Sequence, residues 1–253
     1  MIFNKKRGYL LLSLLAIATL TTACSDNSGE SKKDSTNDNV HKVKESSEQV
    51  EETQEPLDIL NQLATMSQST DELYVTGDLA IGSEQEIKPG IYDLEITGGS
   101  GNISGERANV PLFINWVGGA KGSGDYASKI RILLFEGDIL KFRNISKIKL
   151  NAVPEKVESS NELGVGEFIV GRDILAGDYK LSTNAKLNPE YDNLGWSTRI
   201  YNDSDGQSRE QQLTGSNTDV AVSLKDGEVI SISYDNTDYG SSSDDARLIF
   251  TKL

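Results

Sequence analysis

Residues 170–181 read VGRDILAGDYKL, and residues 81–94 read IGSEQEIKPGIYDL. Each stretch stands four residues beyond a glycine, Gly166 or Gly77, and each contains a Gly-x-Tyr-x-Leu step. Working outward, Gly77-Asp-Leu-Ala-Ile-Gly82 matches Gly166-Glu-Phe-Ile-Val-Gly171, and Ile87-Lys-Pro-Gly-Ile-Tyr-Asp-Leu94 matches Ile174-Leu-Ala-Gly-Asp-Tyr-Lys-Leu181. A third block, Ile132-Leu-Leu-Phe-Glu-Gly-Asp-Ile-Leu140, matches Val222-Ser-Leu-Lys-Asp-Gly-Glu-Val-Ile230. Each copy then ends on a basic–apolar alternation, Lys147-Ile-Lys-Leu150 or Arg247-Leu-Ile-Phe250. Three blocks in the same order at offsets of 87 to 90 residues mean two tandem copies of one module, 71–153 and 163–253.

The blocks describe their own local structure. Gly-x-[Leu/Phe]-x-[Ile/Val]-Gly predicts a short strand with alternate residues inward, bounded by glycines free to take positive φ. Pro89-Gly90 and Ala176-Gly177 predict turns, and Glu136-Gly137 and Asp226-Gly227, each between two apolar runs, predict hairpins. Turn residues recur about every ten positions, so the expected fold class is all-β: two tandem antiparallel β-sandwich modules of about six to eight strands each, after a disordered N-terminal tether. The repeated glycines and tyrosines are read as fold determinants, not as a site.

The pattern Gly-x-[Tyr/Phe]-x-Val-Gly-x-Asp-Ile-x-x-Gly-x-Tyr resembles a small β module of secreted and surface proteins in Gram-positive bacteria. The second copy fits it closely, while the first carries Ser83-Glu-Gln-Glu86 where the module has a short polar-Asp step. The resemblance implies a surface location and brings no catalytic residues.

Residues 1–24, MIFNKKRGYLLLSLLAIATLTTAC, have a basic start (Lys5, Lys6, Arg7), a 13-residue apolar core from Gly8 to Leu20, and small residues before Cys24. This is the form of a secretory signal over 1–23. The apolar run falls short of the roughly 20 residues of a spanning helix. Leu20-Thr-Thr-Ala-Cys24 resembles a bacterial lipobox, although the usual apolar residue three before the cysteine is Thr21 here. The resemblance implies a diacylglycerol on the Cys24 thiol, cleavage before Cys24, and a protein anchored on the extracellular face of the cell membrane. Two acyl chains are enough for stable attachment.

Loss of residues 1–23 removes three bases and no acid, and takes the net charge from −14 to −17. Such a surface repels phosphate backbones, which excludes nucleic acid as a natural partner. Residues 24–55 have too few apolar side chains to offset chain entropy and read as a lipidated tether with a reach of roughly 30 Å. Residues 56–70 follow, with Leu57, Leu60 and Leu63 at helical spacing after Pro56, and predict a short helix that packs on the first copy or stays loose.

Chemistry-bearing residues are few. Cys24 and His41, the only cysteine and histidine, both precede residue 56. A disulfide within the chain, a Cys/His zinc site in the repeats and any His-based acid–base scheme are therefore excluded. No cofactor is implied. Asn202-Asp203-Ser-Asp205-Gly206 resembles the start of a calcium loop, but Gln212 stands where the closing glutamate belongs, and a hairpin turn is the preferred reading. Residues 235–245 form an acidic loop, read as solvated with a contact surface as the alternative. Trp116, Trp196 and Tyr201 do not align between the copies; core packing is the default for such residues. Together with Asp203 and Asp205 they are also the expected binding set, since divergent aromatics near loops can stack on sugar rings or anchor a protein. The function expected from the sequence is a non-catalytic binding unit that meets a cell-wall polymer or an envelope protein. The alternatives are a carboxylate-based hydrolase of wall polymers and a structural spacer or accessory subunit.

Overall fold

The computed structural model describes residues 55–253 apart from 108, 109, 111, 203–206 and 236–242. Cys24, His41, Asp203 and Asp205 lie outside the described residues. The first copy comprises β1 (Leu73–Tyr74), β2 (Leu79–Ala80), β3 (Gly90–Glu106), β4 (Asn115–Gly119), β5 (Lys129–Leu134) and β6 (Ile139–Ala152). The second comprises β7 (Glu162–Leu163), β8 (Gly166–Ile169), β9 (Gly177–Thr183), β10 (Gly195–Asn202), β11 (Gln207–Thr214), β12 (Ala221–Leu224), β13 (Val229–Asp235) and β14 (Leu248–Lys252). One helix, α1 (Pro56–Met66), precedes them. The fold is all-β.

The repeat is visible in individual hydrogen bonds. Ile81 N–H donates to Asp138 O at 2.9 Å, and Val170 N–H to Glu228 O at 2.9 Å. Gly137 N–H donates to Ile81 O at 3.0 Å, and Gly227 N–H to Val170 O at 3.0 Å. The tyrosine of each Gly-x-Tyr step donates its hydroxyl to the carbonyl four residues upstream: Tyr92 to Lys88 and Tyr179 to Leu175, both at 2.9 Å. The acid after each hairpin glycine caps the turn it closes. Asp138 Oδ2 accepts Phe135 N–H at 3.0 Å, and Glu228 Oε2 accepts Lys225 N–H at 2.9 Å. Glycine and tyrosine recur because a backbone turn and its side-chain tie need them.

The copies differ at their corners. In the first, β3 and β6 pair through the whole module, with slips between Ile96 and Asn102 that let the ribbon bend and serve both layers. Gly99 (φ +81°) sits at the bend, where a Cβ would lie 2.3 Å from Asn144 O. In the second, residues 184–194 interrupt the same path between β9 and β10. The ribbon becomes the separate strands β9, β10, β13 and β14, shared between a four-stranded sheet (β12-β9-β14-β7) and the larger sheet.

That larger, ten-stranded sheet joins the copies. Among the described residues the strand-to-strand pairings are antiparallel except at the joint, where β5 meets β8 in parallel at Arg131 and Gly166. Gly166 (φ +130°) permits this approach, since a Cβ would sit 2.2 Å from Arg131 O. Every residue of β8 is buried, where alternation was expected, because β8 lies inside the joined sheet and is covered on both faces. Each copy keeps its own core, one around Tyr92, Leu94 and Ile132, the other around Tyr179, Trp196 and Phe250.

A third cluster covers the seam. Leu60, Leu63 and Ala64 of α1 pack with Ile91, Leu133 and Val153 of the first copy and Ile169, Tyr201 and Val229 of the second. The helix therefore neither stays loose nor packs on the first copy alone. At about 1.5–3 kcal/mol for each fully buried large aliphatic side chain, its leucines contribute substantially to holding the copies together.

Candidate functional site

Around the seam the copies exchange side chains. Trp116 of β4 is 4% exposed, and its indole N–H donates to Ile232 O of β13 at 3.2 Å. Arg107, just past β3, reaches Glu167 of β8 with two bonds of 2.7 and 2.9 Å, and Leu133 O with a third of 2.6 Å. Glu167 also accepts Leu133 N–H at 2.9 Å, and Asp138 lies 3.4 Å from the Arg107 Nε. Burial works against the charge of Arg107, yet the Glu167 carboxylate, then Asp138, hold its pKa above the ordinary value. Burial raises Asp138 to about 6. Asp173 is raised by burial as well, while it accepts Ile169 N–H at 2.8 Å and pairs with Arg131 at 3.1 Å.

These interactions leave open space beside them. On one side of Trp116 a cleft of about 400 Å³ is lined by Asn115, Val117, Asp125, Tyr126, Ser233 and Asp235. On the other side, a groove of about 580 Å³ is lined by Phe113, Asn115, Ser197, Arg199, Glu210 and Ser231. A third cleft of about 450 Å³ carries mixed charge from Asp93, Glu95, Lys121, Lys129, Arg131 and Arg247. Neither of the acids with raised pKa, Asp138 and Asp173, lines any of these clefts. Both are tied to backbone N–H groups and arginines.

The structure buries all three of the expected aromatics, Trp116, Trp196 and Tyr201. Trp196 is 1% exposed, donates its indole N–H to Thr183 Oγ1 at 2.9 Å and stacks on Tyr234 with ring centroids 4.4 Å apart. Tyr201 packs in the seam cluster, and Trp116 serves as an internal anchor between the copies. Trp196 and Tyr201 belong to cores, while Trp116, nearly covered, also lines both clefts beside it. Of the acidic loop, Asp244 turns inward, its carboxylate accepting Ser128 N–H at 2.6 Å and Ser128 Oγ–H at 2.8 Å.

The exposed apolar side chains lie elsewhere. Phe113 is 68% exposed, Val117 45% and Tyr126 38%, all on or beside β4, with the Arg199 guanidinium 5.3 Å from the Phe113 ring centroid. The signal for two of them was the period of two. Ile114 and Trp116 point inward, so Phe113, Asn115 and Val117 take the outward parity. Among the described residues no group of three or more His, Cys, Asp or Glu is placed to hold a metal ion. No family model, curated protein or solved structure matches the chain.

Proposed function

We infer that this protein is a lipoprotein held on the outer face of a cell membrane by a diacylglycerol on Cys24, and that its joined β modules are a non-catalytic unit for binding an envelope glycan polymer. One observation carries the binding reading: three of the eight exposed large apolar side chains among the described residues, Phe113, Val117 and Tyr126, flank the seam clefts. Beside them stand Asn115, Ser233, Asp125 and Asp235, able to donate and accept hydrogen bonds. Apolar faces beside a few convergent polar groups suit the alternating faces of a sugar chain. The sequence pattern of residues 1–24 supports the address.

Two measurements test this. Cys24→Ala releases the chain into the medium or leaves an unprocessed precursor; unchanged size and membrane retention sink the anchor. The full chain, mixed with purified cell wall, is retained, and Phe113→Ala with Tyr126→Ala weakens retention while leaving the fold intact. Retention only by an envelope protein replaces the glycan with a protein partner, and indifference to both substitutions removes the site.

A further inference from the structure

The two clefts beside Trp116 share Asn115, Trp116 and Ser233, so they follow each other along β4. Their charges differ. The cleft at Phe113 holds one acid and one base, Glu210 and Arg199, which pair across β11 and β10. The third cleft also mixes signs, with Asp93 paired to Arg131 at 2.5 Å. In the cleft at Tyr126, among the described residues, the charged side chains are Asp125 and Asp235, and no basic one joins them. Neither carboxylate forms an ion pair or a hydrogen bond with a described residue.

Both acids stand on fixed backbone. Asp235 closes β13 and pairs with Gly195 of β10. Asp125 O accepts Ser243 N–H at 2.9 Å and Ser243 Oγ–H at 2.5 Å, a tie across 118 residues. The lining also includes Tyr126, 38% exposed, and the neutral hydrogen-bonding groups of Asn115 and Ser233. A tyrosine face attracts an ammonium group within roughly 6 Å of its centroid, and a carboxylate makes its strongest hydrogen bonds to a charged donor. A ligand that brings its own positive charge therefore completes this cleft, whereas an uncharged one leaves both carboxylates without a counter-charge. A metal ion is the poorer fit. Among the described residues no three of His, Cys, Asp or Glu converge, and calcium takes about six to eight oxygens.

We propose, resting on the glycan reading above, that the polymer bound is one of amino sugars with free primary amines, whose ammonium groups Asp125 and Asp235 hold. The uncharged part of the chain lies along β4 toward Phe113. There Phe113 and Val117 meet ring faces, and Asn115, Ser197 and Ser231 meet hydroxyls. N-acylation removes the charge and leaves one N–H donor where the ammonium had three, so the acylated polymer is discriminated against.

The test titrates the full chain with glucosamine oligomers and with N-acetylglucosamine oligomers of equal length, read by calorimetry at low salt. The free-amine oligomer binds about tenfold tighter, the size of one charge-assisted hydrogen bond. Asp125→Asn with Asp235→Asn brings the two oligomers to parity; both positions are exposed, and an unchanged circular dichroism spectrum confirms the fold. Glu84→Gln with Glu86→Gln removes the same charge from an exposed turn of the first copy and keeps the preference. Phe113→Ala weakens both oligomers alike. Equal binding of the two, unmoved by the aspartate changes, overturns the amine and leaves the glycan reading standing. A preference that survives the aspartate changes, or that the glutamate changes abolish as fully, belongs to overall charge and overturns the site. Binding of neither oligomer overturns the amine, and with no retention on purified cell wall the glycan reading falls too. A lysine-rich peptide that binds where neither sugar does replaces the glycan with a protein ligand.

Discussion

Replacing Glu167 by alanine removes the charge partner of an arginine sealed in the seam. The side chains of Arg107 and Glu167 are 2% and 0% exposed, so water cannot take the place of the lost carboxylate. Breaking a buried pair by deleting one member costs about 3–5 kcal/mol, and Leu133 N–H, stripped of its acceptor, adds about 1–3 kcal/mol. Asp138 at 3.4 Å recovers part of this, which leaves a net loss of about 4 kcal/mol. That is about a quarter or more of the stability of an ordinary domain at about 5–15 kcal/mol, and it lowers Tm by about 10 °C for a chain of this size. The companion variant is Glu228→Ala. Glu228 is as buried as Glu167, but its arginine, Arg209, is 44% exposed and rehydrates, so the loss there is about 1–2 kcal/mol. Urea and thermal unfolding of the chain from residue 25 onward, followed by circular dichroism, measure both. Because Glu167 ties the two copies, its loss should also split one cooperative transition into two. If Glu167→Ala costs no more than Glu228→Ala, the assignment of the seam as a buried, charge-locked joint is wrong.

Asp138 sets a pH dependence. Its folded pKa is raised from the ordinary value of 3.8 to about 6, so folding favours the protonated form. Its contribution to stability is complete below pH ~4 and is lost as pH rises through about 6, a span worth about 3 kcal/mol at 1.36 kcal/mol per pKa unit. Stability of Asp138→Asn measured against the parent should show the parent losing ground between those pH values, and a flat difference refutes it. Tyr179→Phe removes one hydrogen bond and costs about 1 kcal/mol, whereas Tyr92→Phe also orphans Gln68 N–H, which donates to the Tyr92 hydroxyl, and costs roughly twice that; equal losses in chemical denaturation would contradict the contact. Gly166→Ala forces a side chain into backbone at a positive φ and costs about 1–3 kcal/mol, read as a lowered Tm with both copies still folded.

The module itself was legible in sequence because its determinants are local. A turn that needs a glycine, a hydroxyl that reaches four residues back and an acid that caps its own hairpin repeat with the chain, and residues 77–94 and 166–181 therefore show the same pattern. The short helix was legible for the same reason, through leucines at helical spacing. The site was less so. Trp116, Trp196 and Tyr201 were conspicuous by their failure to align between copies, but an aromatic in a variable segment fills a core or faces solvent according to what packs against it. Here β13, Thr183 with Tyr234, and α1 with its seam cluster do so. Phe113 and Val117 were readable only once β4 was known to bury Ile114 and Trp116. What the sequence alone determined is the repeated all-β module, its turns and its corner residues. What only the tertiary structure decided is the joining of β5 to β8, the pairing of Arg107 with a glutamate 60 residues away and the seat of α1 across both copies. Those contacts are non-local: no propensity or period encodes which edge strand meets which, and the choice rests on burial and charge complementarity that exist only after both copies have folded.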